Sequence, residues 1–167
     1  MTDTQKKKIK EMLDTLPEVE KDIYREIAEY AVELGYLPCK IKNAHGEIVA
    51  VAFSKSKINR RLIKITPPYT TTGKDLTKTS KAGLGIAFFA AEYSDYFHDK
   101  VCKDIEKGII CGSICENCAG KYKYVYPDGS TAFRCSIHSL VDVSPIGTEH
   151  IGEIKKMMKM QNDFWLK

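Results

Sequence analysis

The sequence predicts an α+β fold built on a mainly antiparallel sheet. Three observations predict it: apolar stripes at helical spacing near both ends, short β-rich runs between residues 37 and 90, and turn signals separating them. At 167 residues the chain fits one domain, or one domain with a small appended module.

Residues from about 2 to 14 read as an amphipathic helix with Ile9, Met12 and Leu13 on one side. Pro17 suits the first position of a second helix, because its missing N–H would have no helical partner there anyway. Val19, Ile23, Ile27, Tyr30 and Leu34 recur at three- and four-residue steps, and Gly35 is the natural stop. The pattern then turns towards strands. His45-Gly46 separates a Cys39–Lys42 run from a Glu47–Phe53 run, which predicts a hairpin. Leu62, Ile63 and Ile65 predict a third strand, closed by Pro67-Pro68. Residues 66–81, rich in Thr, Lys, Pro and Gly, read as an exposed loop. A fourth strand at Leu84–Ala90 precedes a central helix from about Ser94 to Lys107, with Phe97, Val101 and Ile105 on its buried face. A last helix follows Pro145, with Thr148 as its N-cap, Glu149 in its first turn, and Ile151, Ile154, Met158 and Trp165 near one face. The expected organisation is an α+β core over 1–108, a Cys-rich hairpin module over 109–143, and a helix over 144–167 that packs on the core.

Composition excludes little. Hydrophobic residues make up 43% and charged residues 29%, which is ordinary for a soluble globular protein. With 26 Lys+Arg against 22 Asp+Glu the net charge is +4, which permits an anionic partner without arguing for one. The first residues have no apolar h-region, and no run of about 18 apolar residues exists to span a membrane. A cytoplasmic location and no membrane partner are the expectation. Thiols stay reduced there, so six cysteines point to metal or redox chemistry before a disulfide framework.

The chemistry concentrates between Cys111 and His138. Cys115-x2-Cys118 is followed, after sixteen residues, by Cys135-x2-His138. Two close ligand pairs at that separation match a zinc ribbon or knuckle. Two residues between ligands let a tight turn aim both side chains at one ion, and the intervening segment must bring the second pair back. Here it is suited to the return: Lys121–Tyr126 alternates basic and aromatic residues, Pro127-Asp128-Gly129 is a turn, and Thr131–Arg134 runs back.

Cys111 leaves the fourth ligand open. One set is Cys115, Cys118, Cys135 and His138; the other replaces His138 with Cys111 and would suit zinc or an iron–sulfur cluster. Symmetric pairing across the hairpin favours the first. Four protein ligands leave no open coordination position, so a structural role for Zn2+ is expected over a catalytic one. Cys111-x3-Cys115-x2-Cys118 also has the cysteine spacing of radical-SAM enzymes, but the 49 residues after Cys118 cannot build their barrel. Cys39 and Cys102 read as small buried hydrophobes. His98, four residues before Cys102, reads as a surface residue, as do His45 and His150. Thr72-Gly73-Lys74 is no P-loop, since Asp75 and Pro68 stand where Ser/Thr and Gly are required. No nucleophile–base pair is evident.

The run from Glu11 to Glu18 (EMLDTLPE), the helix after it, and the strand with Val51-Ala-Phe-Ser54 resemble the opening of the YdhG-like family of small bacterial proteins, over about residues 8–105. The resemblance implies an α+β fold and, through the family's frataxin-like members, iron handling. It carries over no binding residue, and the Cys-rich module lies outside it. The sequence thus leads to three expectations. The first is a non-enzymatic accessory whose structural zinc stiffens a module that binds protein or nucleic acid. The others are an iron or iron–sulfur handling protein, and a small enzyme with an architectural zinc and a pocket between the sheet and the 66–81 loop.

Overall fold

The computed structural model describes residues 1–68, 70–72, 77–79, 82–87, 96, 97, 99, 100, 121–125, 131–135 and 140–167; for 70–72, 77–79, 121–125 and 131–135 it describes backbone alone. Helix α1 spans Asp3–Leu13 and opens on a reciprocal capping box. The Gln5 backbone N–H donates to Thr2 Oγ1 at 3.3 Å, and the Thr2 N–H donates to Gln5 Oε1 at 2.6 Å. Ile9, Met12 and Leu13 are buried, as their spacing predicts.

Helix α2 spans Glu18–Glu33, with Pro17 at the N-cap, one position before the one expected. Its buried residues are Ile23, Tyr24, Ile27, Ala28 and Ala31. Val19, assigned to this face by its spacing, is 85% exposed. At about 100° per residue it stands on the rim of the stripe, far around the helix from Ala31. The helix ends in a Schellman motif: Gly35, at φ +87°, donates to the Val32 carbonyl at 2.8 Å, and Tyr36 donates to the Ala31 carbonyl at 3.0 Å.

Strands β1 (Leu37–Lys42) and β2 (Ile48–Lys55) form the expected hairpin. Asn43 Oδ1 accepts the backbone N–H groups of His45 (2.9 Å) and Glu47 (3.0 Å), and Gly46 supplies the positive φ of +82°. Strand β3 (Arg60–Thr66) follows a short 3-10 turn at Ser56–Ile58 and ends before Pro67-Pro68 as expected.

The segment read as a loop contains a small antiparallel ladder, β4 (Thr70–Thr72) against β5 (Thr77–Thr79). Its threonines are β-branched and suit a pleated strand despite their polarity. Strand β6 (Gly83–Ala87) is the predicted fourth strand, and Tyr96, Phe97, Asp99 and Lys100 are helical as expected. Val101, Ile105 and the rest of the central helix lie outside the described residues. Strands β7 (Lys121–Val125) and β8 (Thr131–Cys135) form a separate antiparallel ladder.

Strand β9 (Leu140–Asp142), a fifth member of the main sheet, lies in the stretch that the sequence assigns to the Cys-rich module. Three residues are too few to show a period of two. The sheet has the order β1-β2-β3-β6-β9 with every neighbouring pair antiparallel. The register aligns Val51 with Ile65, Phe53 with Ile63, Ile63 with Ile86, and Ile86 with Val141. These residues form one fully buried apolar face. Helix α3 (Ile151–Leu166) packs beside α2 on it through Ile154, Met157 and Met158, each 0% exposed. Its entry is a 3-10 turn at Thr148–His150 capped by Gly147, so Thr148 belongs to the turn and is not the cap.

Candidate metal centre and the described polar sites

The β7–β8 ladder aligns Lys121 with Cys135, Tyr122 with Arg134, Lys123 with Phe133, Tyr124 with Ala132, and Val125 with Thr131. Lys121 and Cys135 are its last pair. Of the predicted ligands, Cys135 ends β8; Cys111, Cys115, Cys118 and His138 lie outside the described residues, as does the Pro127–Gly129 turn. Among the described residues, no group of three or more His, Cys, Asp or Glu could hold a metal ion. His98 and Cys102 also lie outside the described residues. Cys39, expected to be a buried small hydrophobe, is an exposed free thiol. Its position in β1 aligns it with Ala52, on the sheet face opposite the apolar core.

His150 is not the isolated surface residue its sequence context implied. Its ring stacks on Tyr96 with centroids 4.1 Å apart and an interplanar angle of 14°, and meets Phe97 edge-on at 5.7 Å. Its Nδ1 accepts the Gly147 backbone N–H at 2.9 Å. Tyr96 in turn donates its hydroxyl to the Pro145 carbonyl, and Lys100 donates to the Ser144 carbonyl at 2.6 Å. Together these contacts clasp Tyr96, Phe97 and Lys100 to the entry of α3. No sequence periodicity marks the clasp, because its partners lie about fifty positions apart.

A second polar cluster joins β2 to α3. Lys55 Nζ donates to Asn162 Oδ1 at 2.9 Å and lies 4.6 Å from the centre of the Tyr36 ring. Burial holds the Lys55 ammonium below its ordinary value. Burial likewise pushes the Tyr36 hydroxyl up to about 12, and that hydroxyl has no hydrogen-bond partner among the described residues. Tyr24, also buried, is pushed further up by desolvation and by the nearby Glu20 carboxylate.

The enzyme reading requires convergent polar groups beside the 66–81 segment. An open groove of about 650 Å³ does adjoin it, lined by Ile41, Asn43, Glu47, Ile48, Val49, Ala50, Lys64, Thr66, Pro67 and Pro68. Among the described residues its charged members are Glu47 and Lys64. No helix among the described residues is long and apolar enough to cross a membrane. Comparison with protein-family models, curated proteins and solved structures produced no match.

Proposed function

We propose that the chain is a non-enzymatic accessory protein in which a structural zinc, bound by Cys115, Cys118, Cys135 and His138, stiffens a hairpin that engages a protein or nucleic-acid partner. The observation that supports it is the β7–β8 register. Cys118 precedes the first ladder residue by three positions, and Cys135 is the last ladder residue on the returning strand. Both ligand pairs therefore belong in sequence to the same open end of the ladder, which is what a knuckle across two strands requires.

The ladder also gives the zinc something to stiffen. An isolated two-stranded ribbon is marginal in water, and a metal joining its strand ends makes its binding free energy part of the folding free energy. Tyr122 and Tyr124 alternate with Lys121 and Lys123, and Arg134 is aligned with Tyr122. That mixture of rings and cations suits a partner with planar or anionic groups.

Substitution tests the reading. His138→Ala abolishes stoichiometric zinc, whereas Cys111→Ala retains it; the reverse outcome replaces His138 by Cys111 in the ligand set. Protein purified without oxygen that is brown and contains iron would instead establish an iron–sulfur protein.

A further inference from the structure

The modest net charge of the whole chain conceals a local imbalance. From Ile48 to Lys74 there is no carboxylate, while Lys55, Lys57, Arg60, Arg61, Lys64 and Lys74 supply six cations. Four of the six fall within residues 55–61, the connection between β2 and β3. Several cations on the helices are paired with acids. Lys10 bridges Asp14 at 2.8 Å, Lys21 bridges Glu18 at 2.7 Å, Lys159 bridges Asp163 at 2.6 Å, and Lys155 bridges Glu26 at 2.6 Å. Lys57 and Arg61 are exposed and have no such partner among the described residues.

The turn is also held in a defined shape. Lys55 anchors its root to Asn162 and Tyr36. Asn59 adopts a left-handed conformation at φ 48°, and its N–H donates to the Ser56 carbonyl at 3.0 Å. A bulge then redirects β3: Phe53 aligns with Ile63 but Ser54 aligns with Arg61, so Leu62 is the extra residue. Without it, alternation would place Arg61 on the apolar face with Ile63. With it, Arg61 falls on the same face as Lys64, whose neighbours across the sheet are the small residues Ala52 and Gly85.

We infer that the β2–β3 turn is a phosphate-binding tip for the backbone of a nucleic acid, with Lys57, Arg60 and Arg61 as its contacts. The two guanidinium groups offer planar donor pairs matched to phosphate oxygens, and Lys57 adds a compact point charge. The preorganised turn lowers the ordering cost of engaging them. An anionic bilayer fits the tip less well. Ile58 is the only apolar side chain between residues 55 and 61, and it is partly buried, so nothing there is free to insert. The contacts are to phosphate alone, so binding is insensitive to base sequence. The inference goes beyond the zinc reading and rests on different residues, so the two fail separately.

The test is fluorescence anisotropy of a short labelled DNA duplex with the full chain over a salt series. Three phosphate contacts predict a slope of log K against log salt of about −2.7, taking about −0.9 per contact. The double variant Lys57→Gln/Arg61→Gln should reduce that slope by about 1.8 on the same basis. Lys6→Gln/Lys10→Gln, which removes charges on α1, should leave it unchanged. Three results would overturn the inference: no binding by the wild type, an unchanged slope in the Lys57/Arg61 variant, or stronger binding to phosphatidylserine vesicles than to the duplex. Circular dichroism and zinc content of each variant separate a binding effect from loss of the fold or of the metal site.

Discussion

Replacing His150 with Phe or with Ala separates the two contacts that hold the entry of α3. Phe keeps an aromatic face against Tyr96 but offers no acceptor to the Gly147 N–H. Ala removes both. A neutral hydrogen bond contributes about 1 kcal/mol net, and an aromatic pair contributes about 0.5–1.5 kcal/mol beyond the area it buries. The His150 side chain is only 18% exposed, so water does not fully replace the lost partner. We therefore expect His150→Phe to cost about 1 kcal/mol and His150→Ala about 2–3 kcal/mol. For a chain of this size that corresponds to melting shifts of about 2–4 °C and about 5–10 °C. Urea unfolding of both variants, combined with Tyr96→Ala in a double-mutant cycle, measures the stack directly. Equal losses for Phe and Ala, or no coupling between Tyr96 and His150, would refute the clasp.

Three further outcomes follow from the fold. Phe53→Ala, at a fully buried position in β2, should cost about 3–5 kcal/mol in urea unfolding. Gly46→Ala carries only the cost of a positive φ, since nothing lies within 4 Å of an added Cβ; Gly35→Ala should lose more, because its Cβ would also meet Lys55 Cε at 3.3 Å. Lys40 donates to the Glu11 carboxylate and holds it below its ordinary value of 4.5. The folded value is the depressed one, so this pair stabilises the fold above the ordinary value and ceases to do so as pH falls through the folded one. Lys40→Met should move the Glu11 titration, followed by NMR, back towards 4.5.

The parts of the fold legible in the sequence are those with enough residues to show a period. Ile9, Met12 and Leu13 mark α1, the Ile23–Leu34 repeats mark most of α2, and His45-Gly46 marks the first hairpin. Phe97 is buried where the helical spacing puts it. The misses share a physical cause. Leu140–Asp142 and Thr70–Thr72 are too short to alternate visibly, and Leu140–Asp142 also pairs with Gly85–Ala87, a strand distant in the chain. Residue type alone predicts a buried Cys39, but it occupies an edge strand on the face away from the core, where type does not decide burial. Arg61 owes its orientation to a bulge that alternation cannot reveal. For the candidate metal site, the return of the β7–β8 strands was legible from the Tyr/Lys alternation and the turn signal. Cys135 at the end of that ladder is the one proposed ligand within the described residues.

The measurement that tests the zinc account most directly is metal content per chain, by elemental analysis of protein purified without oxygen, for the wild type, His138→Ala and Cys111→Ala. The account predicts about one zinc in the wild type and in Cys111→Ala, none in His138→Ala, and no visible absorption. Iron with a brown colour, or zinc that survives His138→Ala and disappears with Cys111→Ala, would contradict it.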